Sequence, residues 1–259
     1  MDIRKILRLI LTVSVALLIV AVLIFTKNKD EVIIISHRGS PIDFPEHTFE
    51  GYDDAIEKGS KFIEQDLAIT KDGELIVSHD KNLKRLLKQD ININEIDLKK
   101  IKTYKFENGE SLHTLEEVFD KYGKNINYVV ETKTQDNFNF EMENKLIDLV
   151  QNKKLERNIV FQSFDLESLL YLKEYFPKNK FMLLADNLNV IKNLDVNEVD
   201  IICLYYKEMN SEIIDEIHEM GKKAYSYTID DENIMSDLIA AGLDGLFTNY
   251  TDLGLQYSK

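Results

Sequence analysis

The sequence predicts an α/β fold, a (β/α)8 TIM barrel with a short insertion after its second strand and one transmembrane helix ahead of it. Three observations carry this expectation. Eight short runs of β-branched and aromatic residues alternate with helical patterns from Asp30 to Lys259, the rhythm of parallel strands with return helices. A composition of 44% hydrophobic and 30% charged residues is that of a globular chain with a sizeable core. The chemistry-bearing side chains fall where those runs end, the face on which such barrels place their active sites. An open doubly wound sheet is the alternative, but it normally has fewer strands.

Ahead of the barrel, Arg4, Lys5 and Arg8 precede Leu9–Thr26, 18 residues without a charge. At helical rise this run spans about 27 Å, close to the hydrocarbon thickness of a bilayer. Residues 1–29 therefore read as a cytoplasmic tip, an anchor and the start of a linker. The positive-inside rule keeps the N-terminus cytoplasmic and the barrel, residues 30–259, outside the cell membrane, although Lys27 and Lys29 weaken the asymmetry. A cleaved signal peptide is the rival reading. The run is long for one, and Leu23-Ile24-Phe25-Thr26 lacks a small-x-small cleavage pattern.

Strands are expected at Val32–Ser36, Phe62–Ala68, Asn127–Thr132, Ile159–Gln162, Phe181–Leu184, Asp200–Leu204, Lys223–Thr228 and Gly245–Thr248. Helical patterns lie between them at Thr48–Lys58, Phe140–Lys153, Leu166–Phe176, Ser211–Met220 and Glu232–Ala241, with Gly221 and Gly242 placed as helix-ending glycines. Between His79 and Asn127 the rhythm breaks. Residues 81–125 hold this insertion and the first return helix, and Leu83, Leu86, Leu87, Ile91, Ile93, Ile96 and Leu98 are expected to pack over the barrel mouth as a small cap.

Charge and cysteine content exclude several functions. The formal net charge is −14; residues 1–29 carry five Lys/Arg against Asp2, or +4, which leaves −18 for the remainder. So acidic a body argues against nucleic acid as a partner and against broad adhesion to an anionic membrane. The single cysteine, Cys203, permits no internal disulfide and lies in an apolar run, where a packing role is expected.

The stretch from Ile33 to Asp80 concentrates chemistry. Strand one ends at His37-Arg38-Gly39, and strand two carries Glu64 and Asp66, which share a face because side chains alternate along a strand. Glu131 and Lys133 lie at the end of strand three, and His79 follows a short hairpin. Three inward carboxylates, Glu64, Asp66 and Glu131, suit a hard cation such as Mg²⁺ or Ca²⁺; ion pairing with Arg38 and Lys133 is the plainer reading. His37 and His79 are proton-transfer candidates because imidazole titrates near neutral pH. Arg38 presents a fork for phosphoryl oxygens and Lys133 a point charge. His47, His113 and His218 carry a structural reading, with substrate contact left open for His47.

In order and spacing, His37-Arg38-Gly39, Pro45-Glu46-x-Thr48, Glu64-x-Asp66, Asp72-Gly73, His79-Asp80, Thr114-Leu115-Glu116-Glu117, Glu131-x-Lys133, Ser163-Phe164-Asp165 and Gly242-Leu243-Asp244-Gly245…Thr248 resemble the glycerophosphodiester phosphodiesterase family over about Val32 to Leu253. The resemblance implies the barrel, the insertion after strand two and a metal-dependent phosphodiesterase that yields glycerol 3-phosphate and an alcohol. It also places Glu46 near the site. His47, His113 and Tyr227 stand where the family usually has Asn, Pro and Trp, departures that bear on substrate fit rather than on reaction type. Tyr227 is a candidate apolar wall for the substrate's alcohol. Lysophospholipids or envelope glycerophosphate polymers are alternative substrates, and a non-catalytic tethered binding module is the alternative of a different class.

Overall fold

The computed structural model describes residues 31–133 and 139–258. Eight parallel strands form a closed barrel: β1 (Ile33–Ser36), β2 (Phe62–Ile69), β4 (Asn127–Glu131), β5 (Ile159–Ser163), β6 (Lys180–Ala185), β7 (Ile201–Tyr205), β8 (Lys223–Tyr227) and β9 (Gly245–Thr248). The order runs β1-β9-β8-β7-β6-β5-β4-β2, and Ser36 paired with Ile63 closes the ring. The strand β3 (Leu75–Val77) is not a barrel member; it turns back antiparallel along β2, Leu67 opposite Val77. All eight predicted strands are present, with ends that differ by at most one residue.

The alternating pattern sorts side chains into two cores. On β4, Tyr128 and Val130 face the surrounding helices, while Val129 joins Ile35, Met182, Leu184, Cys203, Tyr225 and Phe247 inside the ring. Cys203 is fully buried there, as expected of a packing residue. The return helices are α1 (Phe49–Glu57), α4 (Leu115–Tyr122), α5 (Glu141–Lys153), α6 (Leu166–Tyr175), the single turn α7 (Leu188–Ile191), α8 (Ser211–Glu219) and α9 (Glu232–Ala240), and α10 (Thr251–Leu255) closes the chain. Local chemistry starts them: Thr48, Asp165, Asn210 and Asp231 accept backbone N–H groups as N-caps, and Thr114 with Glu117 forms a capping box. Gly221 and Gly242 follow α8 and α9 with φ of 73° and 107°, a region open to glycine without a Cβ clash.

The insertion is built from short pieces. It contains two one-turn helices, α2 (Lys84–Leu87) and α3 (Leu98–Ile101), and a 3-10 turn at Ile93–Glu95. Leu83, Leu87, Ile93, Ile101, Phe106 and Leu112 pack with Ala68 and Ile76 of the β2–β3 hairpin. Ala68 and Ile76 are register partners on the hairpin face that also carries Glu64 and Asp66, so the insertion packs on the site-facing side of the hairpin. The expected transmembrane helix and the boundary between residues 29 and 30 lie outside the described residues. Among the described residues no helix is long and apolar enough to cross a membrane.

Closure of the ring depends on Gly245, whose strand partner is Tyr225. A Cβ at Gly245 would stand 2.4 Å from the Tyr225 ring, which is buried. Gly245→Ala should therefore lower stability by about 1–3 kcal/mol through overpacking, read as a lower midpoint in thermal or denaturant unfolding. An unchanged midpoint would show that the ring shifts freely.

Candidate active site

At the C-terminal ends of the strands lies a cavity of about 150 Å³. His37, Arg38, Glu64, Asp66, His79, Glu131 and Lys133 line it. Phe164, Leu184, Tyr227 and Phe247 add apolar surface to the lining. The sequence-predicted histidines, carboxylates and cations are thereby brought to one place. Glu46 is the exception: it does not line the cavity but sits behind Arg38.

The carboxylates come from adjacent strands. Asp66 and Glu131 are register partners across β2 and β4, and Glu64 is two residues earlier on the same face. All three are buried. Lys133 Nζ lies 2.7 Å from Asp66 Oδ1 and 2.5 Å from Glu131 Oε1. Arg38 Nε lies 3.4 Å from Asp66 Oδ2, and His47 Nε2 lies 3.0 Å from the same oxygen. Burial pushes the Asp66 carboxyl up, but Lys133, His47 and Arg38 outweigh it and hold Asp66 well below the ordinary range. Glu64 has less compensation: burial and the charge of Asp66 raise it well above its usual value. Burial, followed by Asp66, pushes Glu131 up to about 8.

Arg38 owes its position to an unusual backbone. Its φ is +58° and that of Gly39 is +91°, so the chain doubles back after β1 and the Arg38 amide donates to Glu64 Oε2 at 3.0 Å. At Gly39 any Cβ would meet the Gly51 backbone at 3.0 Å; glycine is needed for both the turn and the close approach of α1. Arg38 Nη1 also donates to Glu46 Oε2 at 3.3 Å.

Each candidate proton carrier is held by an acceptor. His37 Nδ1 lies 2.7 Å from Asn249 Oδ1. The Asn249 amide nitrogen donates to Asp230 Oδ2 at 2.6 Å, which fixes its oxygen toward His37, so Nδ1 carries the hydrogen and Nε2 is bare. Burial, then the Arg38 charge, lowers His37 to about 4. His79 Nδ1 lies 2.8 Å from Asp80 Oδ1; a carboxylate only accepts, so Nδ1 carries a hydrogen, and Nε2 is bare in the neutral ring and protonated in the imidazolium. Burial lowers His79 as well, though it is 40% exposed at the side chain.

The donor set fits a hard divalent cation. Oxygens of Glu64 and Asp66 lie within 4.8 Å of each other and of a His47 nitrogen, and Glu131 faces the same space across the register pair. Both His47 nitrogens are already engaged, Nε2 by Asp66 and Nδ1 by Tyr52 at 2.8 Å, so oxygen atoms are the ligands on offer. A buried neutral oxygen, Oε1 of Gln162, has no hydrogen-bond partner and also lines the cavity. His47 is fully buried and outside the cavity lining, in keeping with its structural reading. His113 and His218 pair with Glu110 and Asp244 away from the site.

Sequence reasoning missed Gln162, Asn249 with Asp230, and Arg85. Gln162 had a weak signal, being a polar residue in an apolar strand. Tyr227 lines the cavity as expected; its hydroxyl donates to the Ala185 carbonyl at 3.2 Å and its ring meets Phe164 edge-on at 6.0 Å.

Because the folded chain keeps protons on Glu64 and Glu131 that the unfolded chain releases at ordinary carboxylate pH, its cation-free stability should fall as pH rises through that window toward about 8. Adding Mg²⁺ or Ca²⁺ near pH 7 should release protons. Calorimetric heats that change with buffer ionisation enthalpy would register this release, and buffer-independent heats would contradict it.

A family model described as "Glycerophosphoryl diester phosphodiesterase family" matches residues 37–253. The chain is 33% identical over 255 residues to a glycerophosphodiester phosphodiesterase of Bacillus subtilis, covering 87% of this chain and 86% of that one. It is 28% identical over 233 residues to one from Caldanaerobacter subterraneus, covering 85% and 94%. Among solved structures, a glycerophosphodiester phosphodiesterase from Thermotoga maritima superposes with a TM-score of 0.72 at 26% identity, covering 87% of this chain and 97% of that one. An Oleispira antarctica phosphodiesterase in complex with the product sn-glycerol-3-phosphate gives 0.75 at 23% identity, covering 87% and 96%.

Proposed function

From the premise that the chain belongs to the glycerophosphoryl diester phosphodiesterase family, and is thus a phosphoric diester hydrolase, we propose that it cleaves glycerophosphodiesters to glycerol 3-phosphate and an alcohol with two histidines and one divalent cation. The observation that carries this reading is the convergence of His37, His79, Arg38, Lys133 and three buried carboxylates on one cavity. Retention of the whole set argues against a binding module that has lost its activity.

His37 is the better base. Its lowered proton affinity keeps it neutral at physiological pH, and Asn249 turns the bare Nε2 toward the cavity. It takes the proton of the attacking hydroxyl, whether of water or of the substrate's own glycerol. His79, with Nδ1–H held by Asp80, serves as the acid in its imidazolium form, giving the Nε2 proton to the departing alkoxide and becoming neutral. Arg38 and Lys133 hold the phosphoryl oxygens and offset the charge that develops there. Glu64, Asp66 and Glu131 would hold the cation, Mg²⁺ or Ca²⁺, which supplies further charge stabilisation at the phosphoryl group. Tyr227 and Phe164 form the apolar wall for the organic part of the substrate.

We further propose that Leu9–Thr26 anchors the protein in the cell membrane with its N-terminus cytoplasmic and the barrel outside; the length of the uncharged run supports this. Such a site works beside a bilayer, which favours lysophospholipids or envelope glycerophosphate polymers as the second substrate reading.

His37→Ala and His79→Ala should each lower the turnover of glycerophosphocholine by about 10²–10⁴ with little change in unfolding midpoint; a fully active His79→Ala would remove it from the mechanism. In wild type the acid limb of kcat/KM should fall below the ordinary histidine value of 6.5, because His37 gains its proton only as pH drops toward about 4. An acid limb at or above 6.5 would assign the base elsewhere.

A further inference from the structure

We propose that Arg85, supplied by the insertion, is a positioning residue that sets His79 and Arg38 at once by holding the two carboxylates behind them. The inference rests on the catalytic reading above. Arg85 opens into the space between Asp80 and Glu46, two residues that follow different strands and are far apart in sequence. Its Nη1 and Nη2 donate to Glu46 Oε2 and Oε1 at 2.8 and 2.7 Å, a bidentate pairing. Its Nε donates to Asp80 Oδ2 at 2.5 Å. One planar fork thus spans both carboxylates, which an ammonium on a flexible stem cannot do.

The second oxygen of each carboxylate, or a shared one, reaches a cavity residue. Asp80 Oδ1 holds His79 Nδ1 at 2.8 Å and so selects the tautomer with Nε2 bare. Glu46 Oε2 takes Arg38 Nη1 at 3.3 Å. Glu46 is buried, and with Arg38 as its main counter-charge it would draw that guanidinium back from the cavity; Arg85 shares the load and leaves Arg38 its reach toward Asp66 and the phosphoryl group. The insertion's own apolar residues pack against Ala68 and Ile76 of the hairpin, so anchoring alone has other contacts to rely on. The Arg85 side chain is half exposed, yet its three donors go to the supports of two site residues rather than to surface acids.

The test uses the full-length chain with Arg85→Gln and Arg85→Lys. In both, kcat should fall by up to about 100-fold, the scale of a ~1 Å misplacement, and KM should rise. Asp80→Asn should lower kcat mainly, and Arg85→Gln/Asp80→Asn should lose no more kcat than the more damaging single change. The ¹⁵N resonances of His79, assigned by their loss in His79→Gln, should show one tautomer in wild type and a mixture in both Arg85 variants. This readout needs no turnover, so an inactive wild type would strike the catalytic reading while leaving the Arg85 contact testable. Unchanged kinetics with a single His79 tautomer would overturn the proposal. So would an activity loss that follows a lowered unfolding midpoint while the His79 tautomer stays as in wild type. Should Arg85→Gln fail to fold, Arg85→Lys, which keeps the charge but cannot bridge both carboxylates, decides alone.

Discussion

Burying three carboxylates at the mouth of one barrel is the constraint that shapes the rest of the site. Glu64, Asp66 and Glu131 are each exposed by 5% or less, and an uncompensated buried charge costs several kcal/mol. Asp66 is satisfied by three partners, Lys133, His47 and Arg38, and stays ionised. Glu64 and Glu131 are left with a surplus that neighbouring cations do not cancel. A divalent cation completes that balance, so the arrangement which is awkward as pure protein is well suited to a metal. The left-handed turn at Arg38, the glycine behind it and the full burial of His47 all serve the same balance.

The two histidines are held by the same logic from opposite sides. His37 is oriented from β9 through Asn249 and Asp230, a neutral acceptor backed by a charged one. His79 is oriented by the neighbouring Asp80, itself gripped by Arg85. Burial lowers the proton affinity of both rings; His37 falls to about 4, whereas at His79 the charge of Asp66 and the Asp80 carboxylate work against the fall. The large lowering at His37 suits it to the role of base.

Much of the fold was legible because strand and helix signals were strong and agreed. Runs such as Ile33–Ser36 and Ile201–Leu204 are apolar on both faces, as barrel strands must be, and Thr48, Thr114 and Asp231 announce helix starts. The elements of the insertion were not legible in the same way, since one-turn helices are too short for periodicity. Within the site, Glu64, Asp66, Glu131, His37 and His79 were readable from spacing at strand ends. Asn249 was not: it meets His37 from 212 residues away, and nothing local marks it. Arg85 looked like one charge in a charged segment, and only the folded chain shows that it spans Glu46 and Asp80. Glu46 was placed near the site on resemblance alone, and geometry moves it from the substrate to the support of Arg38.

The most direct test strips the full-length protein of metal and follows release of glycerol 3-phosphate from glycerophosphocholine and glycerophosphoethanolamine, with and without Mg²⁺ or Ca²⁺. Turnover that appears only when one of these ions is restored, and that Glu64→Gln abolishes, is the expected result. Full turnover by metal-stripped protein would contradict the assignment of the carboxylate cluster as a catalytic cation site. Folded protein that stays silent with either ion would contradict the assignment of these diesters as substrates.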